Sequence, residues 1–142
     1  MKFFTTFFLA ALAVTVSSQP LESRDVDQNL VPQFGATRGV NPDGTGYCDG
    51  AVKGSDNKPV KVLCTCPPDR ATFIASLNAN VNAGHIVNNP SISAPFPTDG
   101  STASQLVRLR TSIATLENMN GQGKGCPVES TTFLAQEKAL EG

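Results

Sequence analysis

The chain contains no tryptophan, one tyrosine and one histidine, and these scarcities narrow its possible functions. Sugar sites commonly stack their ligands on Trp and Tyr rings, so a chain with Tyr47 alone is a weak candidate for one. A Ser-His-Asp or Cys-His site would have to use His85, with Asp69 or Asp99 as nominal partners. No G-x-S-x-G nucleophile motif occurs. We therefore predict no catalytic residue, and we interpret His85 as a cap on the end of the preceding helix.

Charge is also sparse. Charged residues are 16% of the chain, below the roughly 25% of an average soluble domain, and the net charge is −1. Because no basic stripe or acidic tail is present, no nucleic-acid partner is predicted. Arg108 and Arg110 lie two residues apart on a predicted helix, so they face different sides, and both are expected to be solvated.

Long apolar runs are confined to the N-terminus. Lys2 supplies a positive charge, residues 3–14 are mostly apolar, and Ser17 and Ser18 end a small-residue segment. This pattern predicts a secretory signal peptide over residues 1–18. No later apolar run reaches the about 18 residues that a membrane span needs. We therefore expect a secreted, extracellular protein without a membrane span.

The segment that follows, residues 19–45, shows no sustained helical or strand period. Its composition predicts a flexible leader, and Phe34 is its one large aromatic residue and the candidate for docking on the domain. Arg24 marks a candidate processing site. The turn-forming residues 41–46 mark a boundary, so residues 46–142 are predicted to form a single domain, expected to be monomeric.

Cysteine usage predicts the covalent framework. All four cysteines follow the signal peptide, and export favours disulfides. Bridging Cys64 to Cys66 would strain the disulfide geometry because one residue separates them. Two pairings remain open: Cys48–Cys64 with Cys66–Cys126, or Cys48–Cys66 with Cys64–Cys126.

Other patterns that could bind a metal or a cofactor are poor matches. Zinc sites usually have longer spacers between cysteines and four ligands together, which the Cys64-Thr65-Cys66 pattern and a single histidine do not offer. The segment 121–125 is rich in glycine but lacks the phosphate-loop register. It is interpreted as a flexible link. No metal and no cofactor are predicted.

Periodicity indicates a β-hairpin followed by helices. Strands are expected over residues 47–52 and 60–63, and a first helix over residues 68–83 that ends at Gly84. Residues 85–101 contain too many turn formers for a long element. The apolar positions that define the first helix are Phe73, Ile74, Leu77 and Val81.

A second helix is expected from residue 101 or 102 to residue 119, and a third over residues 131–140. Arg108 and Thr115 are expected on the solvent side of the second helix. The inward positions of these two helices are predicted to be Leu106, Leu109, Ile113, Leu116, Phe133, Leu134 and Leu140. The predicted fold class is thus α-rich α+β, a small disulfide-stabilised domain with a β-hairpin and about three helices.

Several motifs resemble a family of small secreted proteins of filamentous fungi. The motifs are Gly44-Thr45-Gly46-Tyr47-Cys48-Asp49-Gly50, Cys64-Thr65-Cys66-Pro67-Pro68-Asp69-Arg70, Phe96-Pro97-Thr98-Asp99 and Gly125-Cys126-Pro127. The resemblance covers about residues 44–134 and not the leader. It implies an extracellular fungal role, including the effector-like role that such proteins often have at a host surface, and it carries over no active site.

Three functional hypotheses follow. The first is a secreted, non-enzymatic effector or surface-interaction protein that contributes to virulence and contacts a host protein or a cell-wall surface. The second is an extracellular binding module for a cell-wall polymer, an apolar ligand or an apolar surface. The third is a small hydrolase that uses His85, for which no substrate can be named.

Overall fold

The computed structural model describes residues 25–142 as a mixed α+β domain with two antiparallel hairpins and three helices. The predicted signal peptide and residues 19–24 of the predicted leader lie outside the described residues. Within residues 25–142, no helix is long and apolar enough to cross a membrane. The elements are β1 (Tyr47–Lys53), β2 (Pro59–Leu63), α1 (Arg70–Ala83), β3 (His85–Ile86), β4 (Asn89–Ser93), α2 (Thr102–Glu117) and α3 (Phe133–Glu141).

The first hairpin pairs β1 with β2 and confirms the predicted pair of strands. Because side chains alternate between the faces of a strand, Cys48 and its partner Val62 point inward and are buried. Tyr47 and Leu63 form the neighbouring pair on the outer face, where they are 45% and 47% exposed. One face of this hairpin therefore belongs to the core and the other meets solvent.

Helix α1 follows the sequence signals at both ends. Asp69 is the N-cap, and its carboxylate accepts hydrogen bonds from the Thr72 amide and hydroxyl at 3.1 and 3.2 Å. Gly84 ends the helix in the left-handed conformation, with φ of 78°. The helix begins two residues later than predicted because Asp69 caps it from outside instead of lying in its first turn.

The segment after α1 forms a second small hairpin, which the sequence interpretation missed. Strand β3 pairs with β4, with His85 opposite Ser93 and Ile86 opposite Asn89. His85 begins a strand, and its side chain donates no hydrogen bond to α1, so the prediction that it caps this helix is wrong. The Asn80 side chain accepts a hydrogen bond from the Val87 amide at 2.9 Å, which ties the hairpin tip to α1.

The core lies between α1, α2 and the start of α3. Phe73, Leu77, Leu109, Leu116 and Phe133 are at most 1% exposed. The third helix begins at Phe133, two residues later than predicted. Phe133 is buried, but Leu134 is 41% exposed, so the prediction that Leu134 faces inward is wrong.

The disulfides follow the first of the two pairings left open. Cys48 is bonded to Cys64, and Cys66 is bonded to Cys126. The second bond ties the start of α1 to the segment after α2. Gly125 is required beside it, because a Cβ atom there would collide with the Leu116 carbonyl oxygen. The link 121–125, which was expected to be flexible, forms a turn in which the Asn120 amide donates to the Lys124 carbonyl at 2.7 Å.

The described part of the predicted leader is anchored, and this corrects the expectation of a free arm. We call residues 25–34 the N-terminal arm. Val26, Val31 and Phe34 of the arm are all buried in the main core. The arm has almost no regular structure, apart from one 3₁₀ turn at Gln28–Leu30. Its buried residues therefore show no helical or strand period in the sequence from which their packing could be predicted.

Candidate functional site

The second helix buries a polar stripe as well as an apolar one. The stripe recurs at helical spacing and consists of Ser104, Arg108, Thr111, Ser112 and Thr115, each at most 8% exposed. The prediction that Arg108 and Thr115 face solvent is therefore wrong. Expected core residue Leu106 is only partly buried, whereas Leu109 and Leu116 are buried as predicted.

The stripe is buried because the segment after β4 crosses it and supplies acceptors. The Thr111 hydroxyl donates to the Pro95 carbonyl at 2.6 Å. Thr115 lies on the α1 side of the stripe, where its hydroxyl accepts from the Asn80 side-chain amide at 3.0 Å. Buried polar groups are tolerated when such partners are present, so this helix can turn two different faces inward.

Arg108 is the unusual member of the stripe, because a charged side chain is rarely buried without an opposite charge. It is 5% exposed. Its Nη1 donates to the carbonyl oxygens of Pro97 and Asp99, at 2.8 and 2.9 Å. Within residues 25–142 every ion pair involves another residue, either Lys61 or Arg110. The positive charge of Arg108 therefore has no acidic partner in this part of the chain.

One edge of the Arg108 guanidinium has no acceptor. A guanidinium carries five N–H donors, and those of Nη1 are directed to the two carbonyls. Nε and Nη2 donate to no group within residues 25–142. Every fully buried side-chain nitrogen in these residues has a partner. Nε and Nη2 are consequently accessible from outside, although so little of the residue is exposed.

Arg108 also lines a cleft of about 330 Å³ between the N-terminal arm, α2 and α3. We call it the Arg108 cleft. Its lining combines apolar residues of the arm, α2 and α3 with the Arg108 guanidinium and three amide side chains. The complete lining is Asn29, Leu30, Val31, Pro32, Gln105, Arg108, Leu109, Gln136 and Leu140.

The arm wall of the cleft is held by hydrogen bonds from the domain. Arg70 donates from Nη1 to the Pro32 carbonyl at 2.7 Å and from Nη2 to the Val31 carbonyl at 3.1 Å. The Val26 amide donates to the Asn78 side chain at 2.7 Å. Burial lowers the pKa of Arg70 from its ordinary value. These contacts fix the backbone of the arm beside the cleft.

An aromatic cluster also anchors the N-terminal arm. The Phe34 ring lies 5.0 Å from the ring of Phe73 and 5.9 Å from that of Phe133, measured between centroids. The guanidinium of Arg70 lies 5.4 Å from the Phe34 centroid, in cation–π range. The Phe34 carbonyl accepts from the Thr132 amide at 2.7 Å. The cleft therefore has a wall fixed to the core, which favours a preformed site.

The residues nominated for catalysis are not brought together. Asp69 caps α1, and His85 begins β3. Asp99 lies at the start of α2 and accepts from the Ser101 amide and the Ser104 hydroxyl. The His85 side chain makes no hydrogen bond or ion pair within residues 25–142. Two carboxylates that could orient a histidine are thus used to start helices.

Asp99 is the most strongly perturbed acid. Hydrogen bonds from the Ser101 and Ser104 side chains, followed by the Ser101 backbone amide, lower its pKa to about 2. The carboxylate is stabilised because these donors bind only its charged form well. Its environment is that of a helix N-terminus, where negative charge is favoured.

Arg110 differs from its near neighbour Arg108. It is exposed, as predicted, and pairs with Glu137 at 2.9 Å and with Glu141 at 2.8 Å. These contacts link α2 to α3, and the hydrogen bond to Glu137 contributes most to raising the pKa of Arg110. Its charge is balanced, so Arg110 offers a natural comparison for Arg108.

The other clefts are less suited to a ligand. One of them, of about 510 Å³, includes Asp69, Arg70 and Ile74 in its lining. Its Arg70 already donates to the arm, and its Asp69 caps α1. A cleft of about 310 Å³ beside the Cys66–Cys126 bond has Arg38 and Asp69 among its lining residues. Unlike these clefts, the Arg108 cleft is lined by a buried charge that has no acidic partner within residues 25–142.

No group of three or more His, Cys, Asp or Glu side chains within residues 25–142 is arranged to hold a metal ion. All four cysteines are in disulfides. The nine residues of the Arg108 cleft contain no carboxylate, thiol or imidazole, and the positive charge of Arg108 disfavours a metal ion beside the amide oxygens.

The sequence interpretation missed the burial of Arg108, although a signal for it was present. Ser104, Arg108, Ser112 and Thr115 recur every three or four residues, which is the spacing of a helix face. Small hydroxyl residues at such spacing can be buried under a neighbouring segment.

A comparison of the chain with protein-family models, with curated proteins and with solved structures finds no match.

Proposed function

We propose that this protein is an exported, non-enzymatic binding protein that holds a small ligand in the Arg108 cleft. The observation that carries the proposal is the guanidinium of Arg108, which is 5% exposed, has no acidic partner within residues 25–142 and keeps two nitrogens accessible. A buried charge without a counter-charge is costly. A ligand that supplies the missing acceptor would offset that cost, and this is a reason for such a residue to be present.

Binding is favoured over hydrolysis by the roles of the nearby polar groups. The Ser104 hydroxyl donates to Asp99, and the Ser112 hydroxyl donates to the Arg108 carbonyl at 2.8 Å. A hydroxyl committed as a donor to a structural acceptor is a poor nucleophile without a base beside it. His85, the one histidine, is absent from the cleft lining. The third hypothesis, a hydrolase, is therefore the least supported.

Export is part of the proposal. The two disulfides in a small domain are compatible with an extracellular protein. The N-terminal pattern of residues 1–18 supports the same compartment. The resemblance to small secreted fungal proteins would place the ligand at a host surface or in the cell wall.

A second candidate is direct contact with a host protein or cell-wall surface through the outer face of β1 and β2. The observation in its favour is the exposed cross-strand pair of Tyr47 and Leu63. Aromatic and aliphatic side chains of this kind are common contact residues at protein interfaces. This role matches the effector hypothesis and is compatible with a ligand in the cleft.

The two candidates can be separated on the exported chain by amide chemical-shift mapping in NMR. The panel contains small acids, small neutral amphiphiles, chitin oligomers and glucan oligomers. The cleft proposal predicts shifts at Gln105, Leu109 and Leu140 with one of the small molecules. Shifts at Tyr47 and Leu63 alone favour the surface role, and no shift with any small molecule contradicts the cleft proposal.

A pair of variants tests the site itself. Gln105→Trp places a large ring at the cleft, on an exposed helix position, whereas Gln122→Trp places the same ring on an exposed turn away from it. We expect the ligand-induced chemical-shift changes to be lost in Gln105→Trp and kept in Gln122→Trp. Equal binding by both variants would show that the ligand does not occupy the cleft.

A further inference from the structure

The charge of the Arg108 cleft limits the ligand to one negative charge. Of the nine lining residues, Arg108 alone is charged, and the other polar groups are the amides of Asn29, Gln105 and Gln136. A dianion such as phosphate is usually held by several cations or by a set of backbone amides. A single guanidinium balances one charge, and any further charge would be buried without a partner.

The free edge of Arg108 specifies the shape of the anionic group. Nη1 is held by the carbonyls of Pro97 and Asp99, so the remaining donors are those of Nε and Nη2. These two nitrogens present parallel N–H bonds along one edge of a planar group. Such an edge matches the two oxygens of a carboxylate in a bidentate pair. The two carbonyl contacts also fix the plane of the guanidinium, so little rotamer freedom would be lost on binding.

The apolar lining residues specify the rest of the ligand. Leu30, Val31, Pro32, Leu109 and Leu140 line the cleft with apolar surface. Val31 and Leu109 are buried and fixed, whereas Leu30 and Leu140 are half-buried and would gain contacts with an apolar stem. The volume of about 330 Å³ lies near the lower limit of ligand pockets. The occupant is consequently small.

We propose that the Arg108 cleft binds a small monocarboxylate with an apolar stem, the carboxylate on the Nε–Nη2 edge of Arg108 and the stem against Leu109 and Leu140. This inference rests on the binding function proposed above and adds the chemical class of the ligand. The same chemistry could be offered by a free short-chain acid or by the C-terminal residue of a peptide.

A matched ligand series tests the class on the unaltered exported chain. Hexanoate, hexanamide and hexan-1-ol share one stem and differ in the head group, and inorganic phosphate supplies an anion without a stem. N-acetylleucine represents a peptide C-terminus. Dissociation constants are measured by NMR titration at neutral pH. We expect hexanoate to bind about ten- to a hundredfold more tightly than hexanamide, because it adds a charge-assisted pair, and phosphate to bind more weakly than hexanoate. Tighter binding of N-acetylleucine than of hexanoate would assign the carboxylate to a peptide.

Two arginine variants test the residue. Arg108→Lys keeps the charge but loses the bidentate edge, and it should weaken hexanoate binding about tenfold or more while leaving hexan-1-ol unaffected. Arg110→Lys changes an exposed arginine two residues away and should leave the affinities for hexanoate and hexan-1-ol unchanged. The amide spectrum reports whether each variant is folded. If Arg108→Lys does not fold, the ligand series on the unaltered chain decides.

The outcomes separate this inference from the function on which it rests. Equal affinity for hexanoate and hexanamide, with shifts in the cleft, overturns the carboxylate and leaves a binding protein for a neutral ligand. Equal loss of hexanoate and hexan-1-ol binding in a folded Arg108→Lys variant also overturns it. Absence of binding by every compound in both panels overturns the binding function as well.

Discussion

Replacing Phe34 by Ala tests whether the N-terminal arm belongs to the folded domain. Phe34 is 8% exposed, and its ring packs near the rings of Phe73 and Phe133, with centroids at 5.0 and 5.9 Å. Removal of a buried phenyl ring usually lowers the free energy of unfolding by about 3–5 kcal/mol, because contacts are lost and a cavity is left. That is a large part of the about 5–15 kcal/mol that stabilises an ordinary domain.

The control is Leu134→Ala, which truncates a large side chain that is 41% exposed on α3. A substitution of this kind usually changes stability by no more than about 0.5 kcal/mol. Urea unfolding of the chain with its disulfides intact, followed by far-UV circular dichroism, gives both values. A Phe34→Ala change as small as the control would refute the packing, and it would restore the expectation of an unanchored leader.

Two further predictions concern acid stability and the disulfides. The lowered pKa of Asp99, about 2 in the folded chain, means that its carboxylate favours folding above the unfolded-state value near 3.8 and loses this effect as the pH falls toward 2. The stability difference between the parent chain and Asp99→Asn should therefore be constant near neutral pH and shrink between about pH 4 and 2; a difference that is the same at every pH contradicts the assigned hydrogen bonds. For the disulfides, Cys66 and Cys126 are 60 residues apart and Cys48 and Cys64 are 16 apart. Replacing the first pair by Ala should cost about 4 kcal/mol and the second about 3 kcal/mol in the chain-entropy model, and the reverse order in urea unfolding would contradict that account.

The local signals of α1 were sufficient to predict it from the sequence. Phe73 and Leu77 recur at helical spacing, and Gly84 can adopt the left-handed stop without a Cβ penalty. The hairpin of β1 and β2 was predictable for a similar reason, since Val60 and Val62 alternate with a lysine. In these elements the residues that determine the structure are close together in the chain.

The pairing of β3 with β4 and the inward position of Arg108 had no comparable local determinant. Strand β3 is two residues long, too short to show a period. Arg108 is buried because the carbonyls of Pro97 and Asp99 cross over it, and that depends on the path of a loop about ten residues earlier. Arginine is usually exposed, so the sequence pattern predicts a solvated side chain and gives no sign of such acceptors.

The sequence by itself determined the separate parts of this protein: an N-terminal export pattern, a small set of cysteines that suits disulfides, one hairpin and three helices. The tertiary structure alone decided between the two cysteine pairings and brought Phe34 into the core. It also brought the arm, α2 and α3 together to form the Arg108 cleft. The physical reason is that helices and turns depend on neighbours within a few residues, whereas the cleft depends on contacts between segments up to about a hundred residues apart, such as the Gln136 side chain on the Gln33 carbonyl.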